Sequence, residues 1–172
     1  LGQQLRVVDD HEMAVELGLV MTPPFALMNQ VGAARALELA RAYKKTHPDF
    51  VVPRVLSDRG ATGRPWRVPF VFREDKGDVA LVTIKRPRVL NALNLEVFSQ
   101  IRETFEKIGQ DKSIRAAVLT GFGTKAFVSG ADIAMLATID SPKQAEEMSW
   151  GSHEVLLAIE NLGKPVVCAM NG

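Results

Sequence analysis

An α/β fold preceded by a small α-helical segment is what these 172 residues predict, on three observations. From residue 70 onward, short β-branched runs alternate with longer stretches whose apolar residues recur every three or four positions, in the order strand, helix, strand, helix, strand. Before residue 57 the strongest periodicity is helical. Between the two, Ser57 to Pro69 gathers two glycines, two prolines and four charges and reads as a connection. The expected division is therefore 1–56, a linker at 57–69, and 70–172.

In the first part, Thr22 suits a helix cap with Pro23 at the first position; Phe25, Leu27, Met28 and Val31 supply an apolar face, and Gly32 ends it. A second helix from Ala33 to Lys45 carries Ala36, Leu37, Leu39, Ala40 and Tyr43 until His47-Pro48 stops it. Two helices of this size are too small to bury a core alone. In the second part, Phe70 to Arg73 and Val79 to Lys85 flank Glu74-Asp75-Lys76-Gly77-Asp78 as a hairpin. Asn94 caps a helix in which Phe98, Ile101, Phe105 and Ile108 share one face, with Gly109 closing it. Arg115 to Gly121 reads as a buried strand. Ser141 with Gln144 makes a capping box, Pro142 fills the first turn, and Ala145, Met148, Ser152, Val155, Ile159 and Leu162 form one stripe before Gly163. Lys164 to Gly172 holds a last strand.

Composition narrows the function classes. With 47% hydrophobic and 24% charged residues the chain is globular in character, and a net charge of +1 gives no electrostatic case for nucleic acid or an anionic membrane. The single cysteine, Cys168, sits in an apolar strand and reads as a small buried hydrophobe; a disulfide framework and a zinc cluster within the chain are thereby excluded, and a reducing compartment is expected. No apolar run reaches the roughly 18–20 residues of a membrane span. Leu1 is not a start methionine and Gly172 follows directly on a strand, so both ends read as cut and the chain as a fragment. His11 and His47 have no partners at metal spacing, and His153 reads as solvent-facing or as an interface residue. Glu103, Glu106, Glu146 and Glu147 read as polar helix faces.

Chemistry concentrates in Ala126-Phe127-Val128-Ser129-Gly130-Ala131-Asp132. Gly121 and Gly123 break the preceding strand, Gly130 lets the main chain approach a bound group, and Asp132 suits an N-cap for Ile133 to Leu136. A backbone N–H such as that of Ala131 can then stabilise negative charge on a thioester oxygen, a contribution of roughly 2.7–4 kcal/mol per donor. A plain strand-loop-helix junction satisfies the same spacing. Lys85, Arg86 and Arg88 cluster nearby, either for anionic phosphates or as a solvated strand end.

This seven-residue run resembles the signature of the crotonase (enoyl-CoA hydratase/isomerase) superfamily. Three further stretches are similar to that family in the same order: Val79 to Pro87, then Arg88-Val89-Leu90-Asn91-Ala92-Leu93-Asn94, then Lys164 to Gly172. The resemblance implies an incomplete crotonase-like spiral of ββα units. In its terms the Ala131 N–H is the catalytic oxyanion donor and the Ser129 carbonyl accepts from the adenine amino group of coenzyme A. Val89, Leu90, Ala92, Gly130, Asp132 and Ile133 complete the acyl-CoA site. The family's glycine-rich turn with the second donor and its acid/base glutamates are not among these residues, so this chain by itself is expected to lack hydratase turnover. Leu17 to Phe25 and on through Leu56 more loosely resembles the end of the C-terminal helical domain of 3-hydroxyacyl-CoA dehydrogenases. Together the two resemblances imply a bifunctional enzyme of fatty-acid β-oxidation, cytoplasmic and homo-oligomeric, trimer-based as in the family, with acyl-CoA as substrate. NAD is implied only for the dehydrogenase part; no G-x-G-x-x-G occurs here, and no cofactor is assigned to these residues. The alternatives are another crotonase reaction (isomerase only, decarboxylase, thioester hydrolase) or a non-catalytic acyl-CoA-binding or assembly module.

Overall fold

A computed structural model describes Val15 and residues 22–172. His11 and the Leu17 to Met21 stretch used in the dehydrogenase resemblance lie outside the described residues. The chain divides into two compact units, Leu1–Pro69 and Phe70–Gly172.

The first unit holds helices α1 (Pro24–Val31), α2 (Ala33–Thr46) and α3 (Arg54–Thr62). Thr22 does not cap α1: Pro23 takes that place, with φ −57° and ψ 144°, because a residue that precedes a proline is driven out of the helical region. The expected connection at 57–69 is helical as far as Thr62 and stops at Gly63, in the left-handed conformation. Gly60, which reads as a breaker, sits inside this helix; a Cβ there would lie 2.5 Å from Leu37 Cδ2, so the glycine permits close packing of α3 on α2. Phe25, Ala33, Leu37, Leu56 and Trp66 form the buried cluster, and Leu27, Val31, Leu39 and Tyr43 stay exposed. Phe25 and Trp66 rings lie 5.6 Å apart, and the Asn29 side chain holds both the N–H and the carbonyl of Trp66 at 2.7 Å. The third helix and Trp66 thus complete a core that α1 and α2 lack.

The second unit is a four-stranded sheet of order β1-β2-β3-β4, formed by β1 (Val71–Lys76), β2 (Val79–Ile84), β3 (Ala116–Gly121) and β4 (Val166–Ala169). The β1–β2 pair is antiparallel and the other two pairs are parallel. The hairpin turn is tighter than the sequence predicts: Lys76 pairs with Val79, leaving Gly77-Asp78 alone in the turn, with φ 66° at Gly77. Positive φ at the first of two turn positions matches the right-handed twist of the flanking strands.

Helices α4 (Leu95–Gln110) and α6 (Pro142–Glu160) cover one face, with the single turn α5 (Ile133–Leu136) between β3 and α6. Alternate residues of β2 (Ala80, Val82, Ile84) and of β3 (Ala117, Leu119) meet Val97, Ile101, Phe105 and Ile108 of α4 and Val155 of α6. Burying each of the larger aliphatic and aromatic side chains contributes roughly 1.5–3 kcal/mol against leaving it in water. Asn94 caps α4 by accepting the Val97 N–H at 3.0 Å. At the other end Lys164 Nζ donates to the carbonyls of Ile108, in the last turn of α4, and of Asp111, just beyond it. Gly109 does not close α4, which runs on to Gln110; a Cβ on it would meet Leu162 Cδ1 at 3.1 Å, so contact with the end of the α6 segment explains it. Cys168 is exposed, not buried, because β4 is the edge strand and no described element covers it. In the second ββα unit the second strand shrinks to one isolated parallel bridge, Leu93 to Ala131. That reduction shapes the site.

Candidate functional site

After β2 the chain turns through Arg86 and a short 3-10 helix, Pro87–Val89, then passes through Leu90 and Asn91, both at positive φ (49° and 61°). Asparagine tolerates that conformation through its short polar side chain; leucine does so only under strain, on the order of 1–3 kcal/mol. The strain is held by bonds on every side. Asn91, 1% exposed, accepts the Arg86 N–H at 3.0 Å and donates to the carbonyls of Phe122 (3.0 Å) and Ala126 (2.9 Å). From the opposite side Asn171 accepts the Gly121 N–H and donates to the Gly121 and Gly123 carbonyls. Two asparagine side chains thereby fix the loop leaving β3, and Phe127 and Val128 pack against the core.

The two loops then zip together. The Ser129 N–H donates to the Leu90 carbonyl at 3.1 Å, and the Ser129 hydroxyl to the Val89 carbonyl at 3.0 Å. Leu93 donates to the Gly130 carbonyl at 2.9 Å and accepts the Asp132 N–H at 2.8 Å. Because successive peptide groups of an extended segment face opposite ways, a bridge that takes Gly130 O and Asp132 N leaves the Ala131 N–H and C=O pointing away from Leu93. Among the described residues the Ala131 N–H donates to no acceptor.

Asp132 follows. One carboxylate oxygen accepts the Ala134 N–H at 3.0 Å and caps α5; the other takes Arg86 Nη2 at 2.8 Å. Arg86 also donates to the Ala92 carbonyl at 2.6 Å, and its guanidinium lies over the Phe70 ring, 5.2 Å from the centroid. The Arg86 and Asp132 side chains are only 14% and 13% exposed, so Arg86 is no solvated strand end. The Arg86 hydrogen bond, against the opposing effect of burial, holds the Asp132 carboxyl below its ordinary range.

Ala131 lines a cavity of about 340 Å³ whose wall is mostly apolar: Phe98 from α4, Met135 and Leu136 from α5, and Met148 and Leu156 from α6. Its polar members are Ser149, Ser152 and His153, and no acidic side chain lines it. His153, exposed and 6.1 Å from the Trp150 ring, therefore also faces this cavity, which the sequence does not indicate. Of the residues that the resemblance assigns to the oxyanion and acyl-CoA site, Ala131 alone is on the cavity wall; Met135 and Leu136, for which the sequence leaves open a pocket border or core packing, line it as well. Val89, Leu90, Ser129, Gly130 and Ile133 are exposed along the neighbouring loops, Ile133 by 81%, whereas the Ala92 side chain is buried and the Asp132 carboxylate is engaged. Among the described residues no cluster of three or more His, Cys, Asp or Glu offers a metal site, and no helix is long and apolar enough to cross a membrane. Arg86 and Asn91, which organise the loops, are not assigned as site residues from sequence; Arg86 stands out there only as one of three clustered basic residues, and Asn91 only as a member of the run Arg88 to Asn94.

The geometry has known counterparts. The family described as enoyl-CoA hydratase/isomerase matches residues 74–172. The chain is 38% identical over 104 residues to the short-chain-enoyl-CoA hydratase of Clostridium acetobutylicum, an alignment of 59% of this chain and 39% of that protein. It is 39% identical over 101 residues to the fatty acid oxidation complex subunit alpha of Shewanella loihica, covering 58% of this chain and 14% of that one. The crystal structure of an enoyl-CoA hydratase/carnithine racemase from Magnetospirillum magneticum superposes with a TM-score of 0.58 at 34% identity, over 62% of this chain and 40% of the other. The chain thus spans about two fifths of the length of the hydratases it matches.

Proposed function

The chain belongs to the enoyl-CoA hydratase/isomerase family, and on that premise we propose that it supplies one half of an acyl-CoA site that stabilises an enolate-like thioester. The observation that carries this reading is the unpaired Ala131 N–H on the wall of an apolar cavity. Adding water across a 2-enoyl-CoA double bond moves negative charge onto the thioester oxygen, and a fixed backbone donor stabilises that charge without reorganising. The cavity takes the acyl chain. The Ser129 carbonyl, which accepts no hydrogen bond among the described residues, receives the adenine amino group, and Val89, Leu90 and Ile133 flank the coenzyme. Ala92 and Asp132 act through the backbone and through loop geometry, since one side chain is buried and the other is capped and ion-paired.

Hydration also needs a general acid and a general base. With no carboxylate on the cavity wall, the 172 residues are expected to bind and polarise an enoyl-CoA but not to hydrate it. The fatty-acid oxidation setting is supported by the similarity to the fatty acid oxidation complex subunit alpha; a bifunctional protein whose dehydrogenase part precedes this segment rests on the looser resemblance of the residues up to Leu56 alone. NAD belongs to that dehydrogenase part alone; acyl-CoA is substrate here, and these residues are assigned no cofactor. A cytoplasmic, trimer-based homo-oligomer completes the proposal.

Calorimetric titration of the purified chain with but-2-enoyl-CoA and with free CoA, alongside a hydration assay, tests it. Saturable binding, tighter for the acyl ligand, with no turnover above contaminant controls is expected. Absence of acyl-CoA binding overturns the reading, and robust hydration overturns the division of roles.

A further inference from the structure

We propose that Arg86 is the positioning residue of the oxyanion donor: by gripping Ala92 and Asp132 at once, its guanidinium fixes the peptide on which the Ala131 N–H is carried. This deepens the proposed acyl-CoA function and rests on it. The bridge to Leu93 fixes Gly130 and Asp132 by one hydrogen bond each, at 2.9 and 2.8 Å. Each bond holds one of the two peptide groups flanking the Ala131 Cα by one end only, so the Ala131 N–H, on the far side of the peptide whose Gly130 carbonyl is bonded, can still swing about that contact. A third attachment removes the freedom. Arg86 supplies it: Nη1 takes the Ala92 carbonyl, one residue before Leu93, and Nη2 takes the Asp132 carboxylate, one residue after Ala131.

The donors of one planar guanidinium have fixed relative directions, so the two contacts set the separation of the loops as well as holding them. Arg86 is itself anchored, through its N–H to Asn91 and its face to Phe70. An alkylammonium cannot reproduce this. It offers a point charge without the fork, and a lysine at this position reaches one partner with proper geometry at a time.

The same contacts separate this role from mere scaffolding. Asp132 Oδ1, not the oxygen bound by Arg86, caps α5, so losing the Arg86 contact leaves the cap in place. Arg86 is not among the residues that line the cavity beside Ala131, and its loss is expected to act on the Ala131 N–H before it acts on binding.

The test uses but-2-enoyl-CoA labelled with carbon-13 at the thioester carbonyl, bound at saturation to the full 172-residue chain. A carbonyl accepting from a well-placed donor moves downfield, and the size of that shift reads polarisation separately from affinity. We expect a clear downfield shift with the unmodified chain, its loss with Arg86→Ala at little change in Kd, and partial recovery with Arg86→Lys. Since Arg86→Ala also uncovers the Phe70 ring, Asp132→Asn is the second variant; it keeps an oxygen for the Ala134 N–H, removes the charge that Arg86 grips, and is expected to diminish the shift in the same way. Should Arg86→Ala fail to fold, Asp132→Asn decides. An unaltered shift in the folded variants overturns the positioning role and leaves the acyl-CoA reading intact. No shift with the unmodified chain overturns the acyl-CoA reading and this role with it.

Discussion

The Ser129 hydroxyl donates to the Val89 carbonyl across 3.0 Å, so this side chain, two residues before Ala131, is occupied in holding the two loops together. Its carbonyl remains open for a ligand. Ser129→Ala is therefore expected to lower stability by no more than about 0.5–1.5 kcal/mol, toward the lower end because the bond is exposed to water, and to leave acyl-CoA affinity nearly unchanged. A CoA analogue without the adenine amino group should bind more weakly by a similar amount, about 0.5–1.5 kcal/mol. Titrating both proteins with both ligands separates the two uses of the residue: a large loss from the substitution with no penalty for the analogue assigns the contact to the hydroxyl.

Ala131→Pro removes one donor and little else from the hydrogen-bond pattern, because the bridge to Leu93 uses Gly130 and Asp132. The missing N–H is the one proposed to face the substrate oxygen. In an enzyme of full family length built around this segment, kcat is expected to fall by at least ~10²-fold, the scale of losing one oxyanion donor. Unchanged kcat in a variant of unchanged melting temperature rejects the assignment.

What could be read without coordinates depended on whether the cause was local. The α4 stripe of Ile101, Phe105 and Ile108 and the caps at Asn94 and Asp132 follow from spacing and residue type, and all stand where the sequence puts them. The glycines did not yield to that reasoning. Gly60 reads as part of a connection and Gly109 as a helix end, yet both lie inside helices, since what requires them is a neighbour on another segment, Leu37 and Leu162. Cys168 misled for a related reason: an apolar strand predicts burial only if something covers it. Arg86 and Asn91 were illegible as organisers because their partners, Asp132 in one case and Phe122 and Ala126 in the other, are distant in sequence. The chemistry proposed for the Ser129 to Asp132 loop resides in the main chain, so a reading from spacing and glycine placement could point to it without knowing any distant partner.

Two glycine substitutions with opposite outcomes test the packing account. A Cβ on Gly121 would fall within 2.8 Å of the Ala126 carbonyl oxygen and of Asn91 Nδ2, and still nearer the Phe127 carbonyl oxygen. Two of these neighbours are backbone and the third is a fully engaged side chain, so nothing can yield cheaply. Gly121→Ala should cost at least ~2 kcal/mol, in the upper part of the overpacking range. Gly151, within α6, has nothing within 4 Å of its notional Cβ. Gly151→Ala should stabilise the fold by about 0.5–1 kcal/mol, the difference in helix preference. Denaturant unfolding of both variants checks the pair, and a Gly121→Ala variant as stable as the parent chain would refute the clamp between Asn91 and Asn171.

Acid should reveal the other carboxylate that the fold depends on. Asp111, just beyond α4, accepts the Ser113 hydroxyl at 2.6 Å and the Ser113 N–H at 3.0 Å on one oxygen, and Arg73 Nη2 at 2.6 Å on the other. These contacts, the Ser113 hydroxyl foremost, lower its pKa from 3.8 to about 2. A carboxylate whose pKa is depressed in the folded state stabilises fully above its unfolded value, and that contribution is lost as pH falls from about 3.8 toward about 2. Asp132, also depressed, acts in the same direction. Stability of the unmodified chain should therefore decline over this window more steeply than that of Asp111→Asn, which has no proton to gain there. Because the first cause is a short-range hydrogen bond and not the Arg73 charge, the difference in slope should persist in high salt, where an exposed ion pair alone would be screened. Denaturant midpoints across that pH range, with and without added salt, decide it: equal slopes in low salt refute the Asp111 assignment, and a difference that vanishes in high salt assigns the effect to Arg73.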